Sequence, residues 1–334
     1  MKKFISILLA GAMAAAALTG CAKTPGGAAS GSTPLVLNEV AHSIFYAPQY
    51  AAIELGYFEE EGIDLTLVNG AGADKVMTAL ISGDAQIGFM GSEASIYVYQ
   101  EGSQDYAVNF AQLTQRAGNF LVGRQPEDNF KWENLKGKKV LGGRAGGMPQ
   151  MVFEYILKKN GIDPKADLSI DQSISFGLTA AAFTSSDAQF TVEFEPFATG
   201  LELEGSGYVV ASLGTDSGYV PYTAYSAKKS YIEANPEIIQ KFTNAIQKGI
   251  DYVNSHSAQE IAETIQPQFK ETPLENITKI VERYKQQDTW KEDTVFEKDS
   301  FDLLQNILEE AGELPARVPY EDLVTVEFSK KAAR

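Results

Sequence analysis

Cysteine and histidine are scarce in this chain, which has one Cys and two His among 334 residues. An intrachain disulfide needs two Cys, so none can form, and the usual zinc sites built from clusters of Cys and His cannot be assembled. A catalytic triad would have to use His42 or His256. We therefore expect a protein with no metal, no cofactor and no catalytic residues.

Positive charge is also in short supply. The chain has 28 Lys and Arg against 44 Asp and Glu, which gives a formal net charge of -16. A protein that binds nucleic acid needs a basic surface, because its cationic side chains displace the counterions of the phosphates. The composition therefore excludes nucleic acid as a partner.

Long apolar runs are limited to one segment, from Phe4 to Leu18. Its fifteen positions fall short of the roughly 20 that a membrane-spanning helix needs. Two Lys precede the segment, a pattern typical of a secretory signal peptide, here residues 1–20. The segment ends in Leu18-Thr19-Gly20-Cys21, which resembles the bacterial lipobox, where the chain is cut before the Cys and the thiol is lipidated.

The residues after Cys21 are mostly Gly, Ser and Ala, a composition typical of a flexible tether over residues 21–33. We therefore expect a globular body held by a lipid on Cys21 at the extracytoplasmic face of the cell membrane.

From Pro34 onward, short apolar runs alternate with longer segments of helical periodicity. There are ten candidate strands, the first at residues 35–40 and the last at 223–226. There are also ten candidate helices, the first at residues 47–55 and the last at 301–311. This alternation predicts an α/β fold with largely parallel sheets. A single hydrophobic core serves at most about 250–300 residues, so two lobes are expected.

Residues 47–65 contain Ala47-Pro48-Gln49-Tyr50 and Gly56-Tyr57-Phe58 ahead of a candidate strand at Ile63. This segment resembles a signature of the substrate-binding lipoproteins of nitrate/sulfonate/taurine-type ABC importers, whose relatives bind thiamine-pyrimidine or riboflavin precursors. The resemblance continues over residues 77–89, 195–198 and 222–225.

The resemblance implies a type II periplasmic-binding-protein fold, with two α/β lobes joined by two hinge strands. Lobe one would comprise residues 34–120 and 222–334, and lobe two residues 121–221. It also implies a monomer that delivers a small-molecule ligand to an ABC permease and its ATPase. The alternative is an enzyme of the thiamine-pyrimidine synthase type on the same fold, but those enzymes use a Cys-rich active segment that this chain lacks.

Parallel sheets bind ligands beyond the carboxyl ends of their strands, where loops lead into helices. Four loops have this form, at residues 41–46, 69–72, 91–93 and 142–148. The last is rich in Gly but lacks the Lys-Ser/Thr of a P-loop and the spacing of a dinucleotide fold, which disfavours a nucleotide. The candidate ligand-binding residues are His42, Ser43, Tyr46, Gly72, Gly91, Ser92, Arg116, Gly146, Gly147, Met148, Phe176, Glu193 and Tyr222.

Two ligand classes remain open at this point. Helix N-termini and Arg116 suit an oxyanion such as a sulfonate or taurine, although Arg116 would serve equally well in an interlobe salt bridge. The aromatic side chains near the loops suit a flat ring, and we favour a pyrimidine-like or other aromatic ligand. Glu193 and Glu195 alternate at a strand end and would share one side, unless Glu195 caps the next helix instead.

Overall fold

A computed structural model of the chain describes residues 31–175 and 177–333. The predicted signal peptide, the predicted lipidation of Cys21 and the candidate ligand contact Phe176 lie outside the described residues. Within the described ranges, no helix is both long and apolar enough to cross a membrane.

The described strands form two five-stranded sheets. The first has the order β2-β1-β3-β10-β4 and the second the order β7-β6-β8-β5-β9. The strands are β1 (Thr33–Glu39), β2 (Ile63–Asn69), β3 (Ile87–Gly91), β4 (Ala107–Thr114), β5 (Phe120–Gly123), β6 (Lys139–Leu141), β7 (Ser169–Asp171), β8 (Phe190–Glu193), β9 (Tyr208–Ser212) and β10 (Thr223–Lys228).

Helices connect the strands and form most of the chain after β10. The described helices are α1 (Ala47–Glu54), α2 (Tyr57–Glu60), α3 (Ala73–Ser82), α4 (Glu93–Gln100), α5 (Met148–Lys159), α6 (Thr179–Ser185), α7 (Phe197–Leu203), α8 (Leu213–Ser217), α9 (Lys229–Ala234), α10 (Pro236–Ser255), α11 (Ala258–Ile265), α12 (Leu274–Gln286), α13 (Lys298–Ala311), α14 (Tyr320–Leu323) and α15 (Glu327–Ala332). Short 3₁₀ helices lie at Ile44–Tyr46, Trp132–Leu135 and Gln266–Gln268.

The sheets are mixed, whereas the sequence predicted largely parallel ones. β1 pairs in parallel with β2 and β3, and β6 with β7 and β8. β10 runs antiparallel to β3 and β4, and β5 runs antiparallel to β8 and β9. The reason is the path of the chain. It leaves the first sheet at the carboxyl end of β4 and enters the second sheet directly as β5, so β5 runs opposite to its neighbours, and β10 does the same on the return.

The core of the first sheet is aromatic. The ring of Tyr225 on β10 stacks on Phe89 with centroids 4.2 Å apart and packs edge-on against Phe242 at 5.1 Å. Phe242 lies on α10, whose buried residues recur every three or four positions, as expected for a helix that packs one face on a sheet. At Gly249 this helix approaches α1 so closely that a Cβ atom would lie 2.2 Å from the carbonyl oxygen of Pro48.

Candidate functional site

A cavity lies where the carboxyl ends of the parallel strands of both sheets meet. Its volume is about 90 Å³, several times the 10–15 Å³ that holds one water molecule. It is lined by Val40, Tyr46, Gly72, Ala73, Gly91, Glu93, Gly143, Arg144, Gly147, Met148, Pro149, Ile174, Gly177, Thr179, Val192, Glu193, Phe194, Phe197, Tyr222 and Thr223. This is the place that the strand-end argument predicts for a ligand.

Aromatic rings form much of the wall. Tyr46 ends the 3₁₀ helix that follows β1, and its ring packs edge-on against Phe89 with centroids 4.5 Å apart. Burial raises the pKa of the Tyr46 hydroxyl well above its usual value, so this group stays neutral. The hydroxyl of Tyr222 donates a hydrogen bond to Asn119 Oδ1 at 2.6 Å, and its ring packs against Phe194 at 6.1 Å. Both tyrosines therefore present ring surface held by the surrounding core.

Glu93 brings a carboxyl group into the cavity from the first residue of α4. The residue is 3% exposed, and its Oε2 atom has no hydrogen-bond partner among the described residues. Burial raises the pKa of Glu93 to about 7, although the backbone amides of Glu93 itself and of Met148 oppose this shift. The carboxyl group lies over Gly91, where a Cβ atom would be 2.1 Å from Oε2. Position 91 therefore needs a Gly so that Glu93 can occupy this place.

Glu193 supplies a second carboxyl group from the last residue of β8 in the other sheet. The residue is 1% exposed. Its Oε1 accepts a hydrogen bond from the hydroxyl of Thr191 at 2.6 Å, and its Oε2 accepts one from Thr179 at 2.8 Å. Burial raises the pKa of Glu193 to about 7, and the two hydroxyl donors oppose the shift. Two hydroxyl groups thus hold this carboxyl group in one orientation.

The Gly-rich loop before α5 covers one side of the cavity and meets the first sheet's helices. Arg144 in this loop forms an ion pair with Asp74 of α3 at 3.5 Å. The Arg144 side chain is 49% exposed, so solvent screens this pair. The hydroxyl of Tyr97 on α4 donates to the carbonyl oxygen of Gly146 at 3.1 Å. These contacts close the cavity between α3, α4 and the loop.

Seven of the thirteen candidate residues line the cavity: Tyr46, Gly72, Gly91, Gly147, Met148, Glu193 and Tyr222. The structure thus brings together residues from both sheets that lie far apart in the sequence. Whether they contact a ligand stays a prediction. The other described candidates, His42, Ser43, Ser92, Arg116 and Gly146, are not among the lining residues.

His42 points away from the cavity, toward the helices behind β1. Its Nδ1 lies 2.8 Å from Glu39 Oε1, and its Nε2 lies 2.9 Å from the carbonyl oxygen of Gln268. The hydrogen bond to Glu39 is the main reason that the His42 pKa is raised. The ring also stacks on Phe269 with centroids 4.8 Å apart. His42 therefore joins β1 to the C-terminal helices, and Tyr46, four residues later, takes the place at the cavity.

The two serines are used inside the protein. The hydroxyl of Ser43 donates to the carbonyl oxygen of Glu195 at 2.7 Å and accepts from the amide of Phe45. The hydroxyl of Ser92 donates to the carbonyl oxygen of Pro221. Both groups satisfy buried backbone atoms, which explains why neither is among the lining residues.

Arg116 is not among the lining residues, and within the described residues it forms no salt bridge, so the predicted interlobe salt bridge is absent there. Its Nη1 donates to the carbonyl oxygen of Gly214 at 3.1 Å, and its guanidinium lies 4.1 Å from the centroid of the Tyr219 ring. Arg116 follows β4, and its side chain packs beside the strand crossing rather than toward the cavity. Gly146 lies just outside the lining, where its carbonyl oxygen accepts the bond from Tyr97.

The side chains of Glu193 and Glu195 do not lie on the same side of a strand, although the sequence suggested that they would; Glu193 lines the cavity and Glu195 does not. β8 ends at Glu193, so the alternation of a strand does not extend to Glu195. The N-cap residue of α7 is Pro196, and Glu195, one residue earlier, accepts a hydrogen bond at its Oε2 from the first-turn amide of Thr199 at 2.9 Å, as the capping prediction expects. Its Oε1 also lies 2.5 Å from Nη1 of Arg283 on α12.

Several lining residues were missed by the sequence analysis, above all Glu93, Arg144, Thr179 and Phe197. Glu93 and Arg144 lie in two of the loops that the sequence singled out, so the signal for them was present. Nothing local distinguishes a loop side chain that turns toward the cavity from one that turns away.

The sequence profile of the family described as "NMT1/THI5 like" matches residues 44–260. The chain belongs to this family. Among the members and relatives, YtlA of Bacillus subtilis, which carries the name of a binding protein, is 45% identical over 299 residues, or 90% of each chain. The 4-amino-5-hydroxymethyl-2-methylpyrimidine phosphate synthase of Aspergillus parasiticus is 24% identical over 227 residues, or 64% of each chain.

Solved structures agree with this NMT1/THI5-like assignment at the level of the fold. The periplasmic nitrate-binding protein NrtA from Synechocystis superposes with a TM-score of 0.75 at 16% identity, over 90% of this chain and 88% of that one. The predicted fold class and the predicted family resemblance are both confirmed.

Proposed function

We propose that this chain is the extracytoplasmic, lipid-anchored solute-binding component of an ABC importer, which captures a small organic molecule in the cavity and delivers it to the permease. The observation that carries the proposal is the cavity itself, which is bounded by strand ends of both sheets. YtlA, which is named as a binding protein, supports the assignment through 45% identity over most of both chains.

Two lobes would move about the strand crossings. The chain passes from the first sheet to the second between β4 and β5, and it returns to the first sheet between β9 and β10. These two crossings support a first lobe of residues 34–120 and 222–334 and a second lobe of residues 121–221. The pairs Arg144–Asp74 and Tyr97–Gly146 join the two parts across the cavity. The Arg144–Asp74 pair is screened by solvent, so losing it on opening would cost little. The buried contacts of Glu195 with Ser43 and Arg283 also join the two parts.

The ligand is proposed to be a flat organic ring of pyrimidine-like size. Tyr46, Tyr222, Phe194, Phe197 and Met148 supply apolar wall, which favours a ring that packs on them. A nitrate ion would leave most of this wall without contact. A sulfonate such as taurine is the second candidate, because helix N-termini at Gly72, Gly91 and Gly147 face the cavity.

A scattering experiment tests the receptor function. A thermal-shift screen identifies a ligand first, since a ligand at a hundred times its dissociation constant adds about 2.7 kcal/mol to stability. The radius of gyration should then fall when that ligand is added. Tight binding without any compaction would contradict lobe closure as the mode of action.

The alternative function is an enzyme of the thiamine-pyrimidine synthase type. The observation that favours it is the 24% identity to the Aspergillus synthase. None of the described lining residues is a Cys or a His, which leaves the cavity without the groups that such chemistry would use. Formation of product from a bound candidate substrate, followed by mass spectrometry, would establish the enzyme instead of the receptor.

A further inference from the structure

Two buried carboxyl groups face the cavity from opposite sheets, Glu93 from the start of α4 and Glu193 from the end of β8. Among the described lining residues, Arg144 is the one cation, and it is half exposed and paired with Asp74. Buried charges in proteins are normally paired, because removing a charge from water is costly. The carboxyl groups of this cavity therefore lack a buried cationic partner within the described protein.

Both carboxyl groups retain acceptor capacity. Oε2 of Glu93 has no hydrogen-bond partner among the described residues. Oε1 of Glu193 accepts one hydrogen bond from the hydroxyl of Thr191, and Oε2 accepts one from the hydroxyl of Thr179. Each carboxylate oxygen can accept two hydrogen bonds, so each has capacity for one more. A ligand between the two groups would find acceptors on both sides, set in a wall of aromatic rings.

We propose that the cavity binds a nitrogen heterocycle or amidine with N–H donors on two opposite edges, with Glu93 accepting from one edge and Glu193 from the other. Amidine-type N–H pairs match the two oxygens of a carboxylate, and such charge-assisted bonds are stronger than neutral ones. This inference rests on the proposed function of the cavity as a solute site. The inferred ligand class differs from that of an oxyanion receptor, because an oxyanion in this cavity would be repelled by two carboxylates.

The competing arrangement is an oxyanion held by protonated carboxyl groups. Because the pKa values of Glu93 and Glu193 both lie at about 7, such binding would strengthen as the pH falls. Binding of a donor ligand would weaken instead, because protonation removes the acceptor charge. The charged and titratable groups around Glu93 are Arg144, Tyr46, Tyr97 and Tyr222. The three tyrosines have raised pKa values, so they stay neutral between pH 6 and pH 8.

Calorimetry with matched probes tests the inference. The donor set is 4-aminobenzamidine and 4-aminopyridine, whose positively charged forms carry N–H donors at opposite ends, and the oxyanion set is benzoate, benzenesulfonate and nitrate. At least one donor should bind. 4-Aminobenzamidine, whose amidinium charge is constant between pH 6 and pH 8, should bind at least tenfold more weakly at pH 6 than at pH 8. No member of the oxyanion set should bind more tightly than the donors.

Variants identify the carboxyl groups responsible. Glu93→Gln and Glu193→Gln should each weaken binding of the best donor by about tenfold to a hundredfold, because each loses a charge-assisted hydrogen bond. Glu101→Gln at the exposed end of α4 and Glu204→Gln beyond α7 remove the same charge outside the cavity. These two control variants should bind like the parent protein.

The outcomes separate this inference from the receptor function. Binding of an oxyanion but no donor would overturn the ligand class and leave the receptor function standing. Unchanged donor affinity in both cavity variants would overturn the roles of Glu93 and Glu193. If neither set binds to the parent protein, the inference fails together with the proposed solute site.

Discussion

The Glu93→Gln variant should be more stable than the parent protein at pH 8 in the absence of any ligand. Burial raises the pKa of Glu93 from 4.5 to about 7, and one unit corresponds to about 1.36 kcal/mol. The folded protein therefore bears a cost of about 3 kcal/mol when Glu93 is ionised. Gln has the shape of the protonated carboxyl group and removes that cost.

The sign of the pH dependence follows from the direction of the shift. The pKa of Glu93 is higher in the folded protein than in the unfolded chain, so folding favours the protonated form. The cost is nearly absent below pH 4.5, grows between pH 4.5 and 7, and is complete above pH 7. The stability difference between Glu93→Gln and the parent should thus be about 3 kcal/mol at pH 8 and under about 1 kcal/mol at pH 5.

Urea unfolding at the two pH values measures this difference, with Glu101→Gln as the control for loss of an exposed charge. The control should differ from the parent by less than about 0.5 kcal/mol at both pH values. A Glu93→Gln protein that is less stable than the parent at pH 8, or a difference that is the same at pH 5 and pH 8, would refute the reasoning. A gain in stability would show that the protein retains an unfavourable carboxylate at the place where a ligand would need it.

Three further changes have defined outcomes. Cys21→Ala should release the protein from salt-washed membranes without changing ligand affinity, and persistent membrane association would contradict the lipid anchor. Gly91→Ala should displace the Glu93 carboxyl group, because the new Cβ would lie 2.1 Å from Oε2. By calorimetry it should weaken donor binding as much as Glu93→Gln does, and the double variant should show no added loss. Gly249→Ala should cost about 1–3 kcal/mol in urea unfolding by overpacking α10 against α1, whereas Gly200→Ala, whose Cβ meets nothing within 4 Å, should be neutral or stabilising.

Local pattern was enough to predict most of the elements. Each of the ten predicted strands overlaps an observed one, and the predicted helix starts at Glu93, Met148, Phe197 and Pro236 are the observed ones. These features depend on short-range physics, namely apolar periodicity, Gly at turns and Pro at helix starts. The same local logic placed the cavity at the carboxyl ends of the strands.

The sequence did not predict which way a side chain in a loop points. His42 and Tyr46 lie four residues apart after β1, yet His42 joins Glu39 to the C-terminal helices and Tyr46 lines the cavity. The sequence predicted a cavity role for both. Each direction depends on partners such as Gln268, which is 226 residues from His42, and no local pattern encodes such contacts.

The composition and periodicity of the sequence determined the α/β class and the positions of the cleft loops, because propensity and burial pattern act within a few residues. The tertiary structure decided the mixed strand directions and the meeting of Glu93 with Glu193 at one cavity. Both depend on where the chain crosses between sheets, and the crossing sets distances between residues that are a hundred positions apart. The polarity of the proposed ligand therefore follows from the folded arrangement and not from any single motif.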